Sequence, residues 1–361
     1  MRLDEFDYDL PGELIAQHPL PERDASRLMV LDRATQTIED RAFRELPQIL
    51  QPGDLLVFNN TKVFPARLLG RRKGVTAQKI GKRNPARREF LNAEIELLLT
   101  RQEREDEWQA LVRPGRKVRT GEVVTFGEGE LEAEVLGRGA YGVRRVRLRA
   151  REGPLQDAID RVGHVPLPPY IRRPDSAPDR EAYQTVYAKA RGAIAAPTAG
   201  FHFAERTFRE LRARGIETCE ITLHVGLATF QPVHADRVEA HKMEAERFEI
   251  PESAGSAIHR ALEGGRRVIA VGTTTVRALE HVAREKQGKV VSCRGETNLF
   301  ILPGFKFLVT RALLTNFHLP RSTLLMLVSA FAGRDFMLRA YQHAVAERYR
   351  FYSFGDCMLI L

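Results

Sequence analysis

Residues 67–151 read as short strand-like pieces separated by turns, whereas the sequence on either side alternates between strands and helices. No single layer arrangement accommodates both rhythms, so this change of period constrains the fold more than any other feature. The pieces fall at 93–99, 107–112, 122–126, 131–136 and 143–149. Their close spacing and turn residues predict a small antiparallel barrel or sandwich. Charge changes at the same places. The chain has 56 Lys and Arg and 47 Asp and Glu; 21 and 12 of them lie in 67–151, and the rest of the chain, with 35 of each, is neutral. A positive surplus confined to one contiguous segment suggests a surface for a polyanion. Its densest part, 71–90, has eight basic residues against the single acid Glu89 and reads as a basic hairpin or loop.

The flanks, 1–66 and 152–361, then form one discontinuous α/β domain into which the basic β domain is inserted, a division that suits 361 residues. The start, Met1 to Leu10, is acidic and lacks an apolar signal core, and the most apolar run, 324–332, is far shorter than the roughly 20 residues that span a bilayer. Cys219, Cys293 and Cys357 are widely separated with no C-x-x-C pair, which fits a reducing cytoplasm and argues against a zinc knuckle. His234 and His241, seven apart, match no metal-ligand spacing, so no metal is expected. Gly137-Arg-Gly-Ala-Tyr-Gly142 matches G-x-G-x-x-G, yet an alternating strand follows it instead of a helix. A pyrophosphate would find no helix N-terminus there, and a hairpin turn is the better reading.

Chemistry-bearing residues gather in the α/β flanks. The small, uncharged stretch 192–200, with Thr198 and Gly200, runs into Phe201-His202-Phe203 and then an amphipathic helix over 204–214 closed by Gly215. A loop of this kind lets a ligand approach backbone N–H groups at the positive end of a helix. A strand at 217–225 carries His224 near its end, and Thr315-Asn-Phe-His-Leu-Pro320 carries Asn316 and His318. A strand at 55–58 ends in the polar cluster Asn59-Asn60-Thr61-Lys62, and ligands of open α/β sheets tend to bind at such strand ends. The strand 268–271 is followed by Gly272, Thr273, Thr274 and Thr275 and a helix with Arg277, an arrangement suited to holding a carboxylate or hydroxyl. It lacks the G-K-[ST] ending of a phosphate loop. The segment 179–187 is expected to be helical.

Six segments together resemble one family: Asn59-Asn-Thr-Lys-Val-Phe-Pro-Ala-Arg-Leu68, His164-Val-Pro-Leu-Pro-Pro-Tyr-Ile171, Ala196-Pro-Thr-Ala-Gly-Phe-His-Phe203, Thr222-Leu-His-Val-Gly-Leu-Ala-Thr-Phe-Gln-Pro232, Val271-Gly-Thr-Thr-Thr-Val-Arg-Ala-Leu-Glu280 and Thr315-Asn-Phe-His-Leu-Pro-Arg-Ser-Thr-Leu-Leu-Met326. They are similar to the S-adenosylmethionine:tRNA ribosyltransferase-isomerases of queuosine biosynthesis, from about Asp7 to the C-terminus. The likeness is weakest across 73–90, where the turn is longer than is usual in that family.

The resemblance implies an α/β catalytic domain with a mixed sheet, an inserted small antiparallel β-barrel, and a monomer. It implies that the ribosyl part of S-adenosylmethionine passes to the aminomethyl group of 7-aminomethyl-7-deazaguanine at the tRNA wobble position and is isomerised. Epoxyqueuosine forms, and adenine and methionine leave. S-adenosylmethionine is then a consumed substrate and no cofactor is needed. Its sulfonium acidifies the adjacent 5′ protons, so a neutral histidine suits the first step. His202 is expected to be that base, with His224 in reserve. Gly272, Thr273, Thr274, Thr275 and Arg277 are expected at the methionine carboxylate or ribose hydroxyls, Phe201 and Tyr170 stacked on a base, and Asn59, Asn60, Asn316 and His318 as pocket donors and acceptors. Arg67, Arg71, Arg72, Lys73, Lys82, Arg83, Arg87 and Arg88 are expected at tRNA phosphates. A noncatalytic RNA-binding module would account for the basic segment alone. A methyltransferase would release S-adenosylhomocysteine in place of adenine and methionine.

Overall fold

The computed structural model describes residues 1–73, 94–115, 118–139, 142–226 and 237–361. Lys82, Arg83, Arg87 and Arg88 lie outside them. The chain divides into two compact units: Met1–Lys62, Pro168–Pro174 and Glu181–Leu361 form one, and Val63–Leu167 with Asp175–Arg180 form the other.

The chain begins with β1 (Arg27–Asp32), β2 (Thr37–Ala42), β3 (Leu55–Asn59) and the short β4 (Thr61–Val63). Six strands follow: β5 (Arg67–Arg72), β6 (Ile95–Gln102), β7 (Glu107–Arg113), β8 (Val123–Phe126), β9 (Leu131–Arg138) and β10 (Val143–Ala150). Then come β11 (Ala190–Ala193), β12 (Glu217–Leu223), β13 (Glu246–Ile250), β14 (Val268–Val271), β15 (Cys293–Thr297), β16 (Thr310–Asn316) and β17 (Cys357–Ile360).

Nine strands of the first unit form a mixed sheet in the order β15-β13-β12-β3-β14-β16-β17-β1-β2. The central four, β12, β3, β14 and β16, run parallel. β3, β14 and β17 are buried along their whole length, as expected of strands covered on both faces. β2, Thr-Ile-Glu-Asp-Arg-Ala, ends the sheet with exposed charges that discourage further pairing. Strand alternation separates two cores. Met29, Leu31, Leu313, Met358 and Ile360 pack with the helices Thr323–Ala332 and Arg334–Ala346. Leu28, Val30, Leu314, Cys357 and Leu359 pack on the other side with Phe43, Phe58, Phe203 and Leu211.

The second unit is a closed barrel in the order β10-β7-β6-β5-β8-β9, built on the predicted period of two: Ile95, Leu97 and Leu99 of β6 alternate inward with Leu131, Ala133 and Val135 of β9. The G-x-G-x-x-G stretch joins the antiparallel pair β9 and β10, and the Gly139 N–H donates to the Val143 carbonyl at 2.9 Å. It is a hairpin connection. The unit also includes the helix Leu155–Val162, whose Ala158 and Ile159 are buried and whose Arg161 reaches Glu130 at 2.8 Å. Composition placed the change at 151 because the charge surplus ends there, but charge marks solvent exposure and not packing.

Only Asp179–Ala182 of the expected helix 179–187 is helical. Beyond it aromatic packing takes over, Tyr183 edge-on to Phe201 and Tyr187 edge-on to Phe58.

Candidate active site

The four parallel strands send their carboxyl ends to one edge of the sheet. β17 is antiparallel to β16 and β1 is parallel to β17, so the residues entering those two strands reach the same edge. Asn59, His224, Gly272, Asn316 and the entering residues Ser26 and Asp356 are therefore assembled by topology from six separate parts of the chain. Open α/β sheets bind ligands at this edge.

Asn59 fastens the middle of it. Its side-chain NH2 donates to the Leu223 carbonyl at 2.9 Å and lies 3.4 Å from the Thr274 hydroxyl, and its oxygen accepts from the N–H of Leu223 at 2.9 Å and Thr61 at 3.2 Å. Asn60 accepts from the Thr222 hydroxyl at 2.7 Å and donates to Glu220 at 3.0 Å. Between β14 and the helix Thr273–Glu285 the chain turns at Gly272 with φ of 91°, a conformation that a side chain would strain. No side chain caps that helix, leaving the first-turn N–H groups of Thr273, Thr274 and Thr275 without helical acceptors. Thr275 turns inward and bonds the Val271 carbonyl at 2.8 Å, whereas Thr274 is half-buried at the edge.

His202 is 3% exposed and held at both nitrogens. Its Nδ1 lies 2.7 Å from the Ser26 hydroxyl and its Nε2 3.2 Å from the Asn316 side-chain nitrogen. That nitrogen also faces the Tyr352 and Asp356 carbonyls, at 3.1 and 3.3 Å, while the Thr198 hydroxyl donates to the Asn316 oxygen at 3.2 Å. The acceptors fix the amide's orientation, which makes Nε2 an acceptor and puts the ring proton on Nδ1. Burial, with the positive charges of Arg350 and Arg23, pushes the His202 pKa down to about 3. His318, also buried, is pushed to about 3 by desolvation; its Nε2 lies 3.0 Å from the Thr315 hydroxyl, its N–H donates to Tyr341 and its carbonyl accepts from Tyr8.

His224 is different. It is half-buried, and its Nδ1 lies 2.8 Å from the Thr61 hydroxyl. Burial and Arg247 lower its pKa, opposed by Glu249. Among the described residues no hydrogen bond is found at its Nε2.

Phe201 stacks on Phe354 and meets Tyr183 in the core. Tyr170 is half-buried beside Tyr352, 4.7 Å between centroids, with its hydroxyl 2.7 Å from the Ser353 hydroxyl. Gly200 is closed in, since a Cβ there would meet the Tyr187 hydroxyl at 1.9 Å. Arg277 is not at the edge: 4% exposed, it is ion-paired to the buried Glu246 and bonds the Leu299 carbonyl at 3.0 Å, so its guanidinium is occupied inside the fold.

In the barrel unit Arg71 is exposed, Arg67 pairs with Glu96 at 3.3 Å, and Lys73 is exposed and paired with Glu132. The Arg72 side chain is 5% exposed and enclosed with Glu122, which removes it from any phosphate.

Ser26, Thr61, Tyr352 and Asp356 were not among the predicted site residues. Thr61 stood in the polar cluster after β3. The other three come from segments whose meeting depends on the β1–β17–β16 pairing, which no local pattern reveals.

No helix among the described residues is long and apolar enough to cross a membrane, and they contain no group of three or more His, Cys, Asp or Glu able to hold a metal. The sequence matches the family described as queuosine biosynthesis protein over residues 3–360. It is 54% identical to the S-adenosylmethionine:tRNA ribosyltransferase-isomerase of Solibacter usitatus and 50% identical to that of Symbiobacterium thermophilum, in each case over 100% of both chains. The crystal structure of an S-adenosylmethionine tRNA ribosyltransferase from Thermotoga maritima matches with a TM-score of 0.55 at 41% identity, covering 99% of this chain and 100% of that one. With the motifs of the sheet edge contained in a match of this length, the chain belongs to the queuosine biosynthesis protein family.

Proposed function

We propose that this protein is an S-adenosylmethionine:tRNA ribosyltransferase-isomerase. It transfers the ribosyl part of S-adenosylmethionine to the aminomethyl group of 7-aminomethyl-7-deazaguanine at the tRNA wobble position and rearranges it to the epoxycyclopentanediol of epoxyqueuosine. The observation that carries this reading is the full-length match, 48–54% identical, to relatives bearing that enzyme name. S-adenosylmethionine is consumed, its adenine and methionine are released, and no resident cofactor takes part.

In this reading the open first turn at Thr273–Thr275 receives the methionine carboxylate, favoured by backbone N–H groups and the helix dipole, with the Thr274 hydroxyl beside it. Tyr170 offers an aromatic face at the edge, while Phe201 supports the loop from within. Thr198, Gly200, Asn60 and His318 shape the pocket wall. His224 is the proton acceptor: its Nε2 removes a proton from C5′, and the electron pair remains on carbon, stabilised by the neighbouring sulfonium. The aminomethyl nitrogen gives up a proton as it bonds the ribosyl carbon skeleton. Adenine takes the electron pair of the broken bond to C1′ together with a proton, and an oxygen closing the epoxide displaces sulfur from C5′ with its electron pair, releasing methionine. His202 holds the Asn316 amide, a task for which a permanently neutral ring is suited.

The basic barrel unit binds tRNA phosphates through Arg67, Arg71 and Lys73, and Lys82, Arg83, Arg87 and Arg88, outside the described residues, contribute further positive charge to the same phosphates. The protein works as a monomer in the cytoplasm, and the three free cysteines fit that reducing compartment. The test is mass spectrometry of a reaction with S-adenosylmethionine and tRNA carrying the 7-aminomethyl-7-deazaguanine base. Adenine and methionine, with a matching mass gain on that nucleotide, are expected. S-adenosylhomocysteine would mean methyl transfer, and bound tRNA without a small-molecule product would mean a binding module.

A further inference from the structure

We infer that Thr61 and Gly192 are positioning residues that hold the His224 ring in one tautomer and one plane, leaving Nε2, which has no hydrogen bond among the described residues, to take the proton. The inference rests on the ribosyl transfer proposed above. Thr61 lies immediately beyond the Asn59-Asn60 pair and is fully buried. Its hydroxyl faces the Ala190 carbonyl at 3.3 Å and the His224 Nδ1 at 2.8 Å. A carbonyl only accepts, so the arrangement that satisfies both contacts sends the hydroxyl proton to Ala190 and turns the oxygen lone pair to the ring. Nδ1 must then carry the ring proton and donate it to Thr61. The Nε2 lone pair is left as the basic site, the tautomer being set by the bond the other nitrogen makes.

Gly192 fixes the plane. Its α-carbon lies against the face of the imidazole, where a Cβ would come within 2.8 Å of Cε1, 2.9 Å of Nδ1 and 3.0 Å of Nε2. Its φ of 152° is a second reason for glycine there. Gly192 is itself exposed, and the His224 ring beside it is half-buried. Among the described residues the charged groups acting on the ring are Arg247 and Glu249 of β13, of opposite sign. His202 offers the contrast: both of its nitrogens are bonded within the protein. A bare nitrogen on an oriented ring is what proton abstraction requires.

The test compares Thr61→Val, which keeps the shape and removes the hydroxyl, with Thr61→Ser, which keeps the hydroxyl. Long-range proton–nitrogen NMR of histidine-labelled protein, with the His224 signals assigned through His224→Gln, reads the tautomer without substrate. The wild-type protein and Thr61→Ser are expected to show the Nδ1–H form, and Thr61→Val a mixture with Nε2–H. In turnover, Thr61→Val is expected to lose about tenfold or more in kcat, because a base in the wrong tautomer cannot accept the proton, with the KM for S-adenosylmethionine changed less than about twofold. Thr61→Ser should restore kcat. Thr61→Val with the wild-type tautomer and kcat would overturn the inference. If Thr61→Val does not fold, Gly192→Ala decides: a shifted His224 resonance with reduced kcat supports the inference, and an unchanged resonance and kcat overturns it. Absence of adenine release from wild-type protein would defeat the ribosyl-transfer reading instead, a result separable from the tautomer measured without substrate.

Discussion

His202 and His318 are buried as neutral rings with pKa values pushed down to about 3, whereas an unfolded histidine titrates near 6.5. Folding therefore excludes protons that the unfolded chain would bind. The stabilising effect is complete above the unfolded pKa and is lost as the pH falls from there toward 3. Between pH 7 and pH 5 each ring should cost the folded state about 2 kcal/mol. Urea unfolding at a series of pH values should show the decline, and His318→Gln should remove roughly half of it in that window. His224 separates from this pair by function. His224→Gln is expected to lower kcat about 100-fold or more with tRNA affinity unchanged, since a positioned base contributes on that scale. His202→Gln should instead cost about 2 kcal/mol of stability through its two buried hydrogen bonds, with kcat per folded molecule within about tenfold. Adenine-release kinetics on both variants, with their melting curves, distinguish the two roles. The histidines at the sheet edge were visible in the sequence because each ends an element among small or hydroxyl residues. Which Nε2 is occupied depends on Asn316, which meets that of His202, and an amide at a strand end gives no signal of the ring that it will meet.

The helix Thr273–Glu285 shows how an element divides its residues between site and scaffold. Thr273, Arg277 and Glu280 follow the i, i+4, i+7 spacing of one face, the face that also buries Val276. The spacing shows the shared face but not that it is buried, and a cation beside a threonine-rich helix start invites a ligand-binding reading, so the sequence places Arg277 at the edge where the structure puts it inside. Arg277 ties the helix to β13 through Glu246, whose other oxygen accepts the Gly226 N–H at 3.0 Å. Glu280 accepts the N–H groups of Leu308, Val309 and Thr310 at 2.8, 3.1 and 2.8 Å, anchoring the entry to β16. Replacing one member of a buried pair leaves the other charge uncompensated, so Arg277→Met is expected to destabilise by about 3–5 kcal/mol. Adding Glu246→Gln should recover a substantial part, because the stranded carboxylate is then neutral. Chemical denaturation of the two single variants and the double variant measures the coupling. Additive losses would mean that the pair contributes nothing as a pair.

At the scale of the whole molecule, the strands of 67–151 that carry the basic surplus close on themselves, and the flanking sequence 1–66 and 152–361 is electrically balanced. The barrel was legible because each of its strands alternates, whereas the nine-strand order depends on pairings between segments far apart in sequence. The same alternation sorts the cations of β5. Leu68 and Gly70 face inward with Arg72, and Arg71 faces out. Arg71 should then contribute to tRNA binding as a phosphate contact and Arg72 as part of the barrel's interior. Phosphate neutralisation releases counterions, so affinity for tRNA should fall linearly on a log–log plot against salt. Arg71→Gln should flatten that slope by up to about one unit without altering the melting temperature. Arg72→Gln should lower the melting temperature, because Glu122 is left buried and unpaired. Deleting 73–88 removes Lys73, Lys79, Lys82, Arg83, Arg87 and Arg88 together. This deletion should weaken tRNA binding and flatten the slope by several units, while S-adenosylmethionine binding to the α/β unit stays within about twofold. Titrating both ligands into the deletion variant at two salt concentrations separates the outcomes. Equal loss of both would mean that the segment supports the fold, and an unchanged tRNA slope would place the phosphate contacts elsewhere on the molecule.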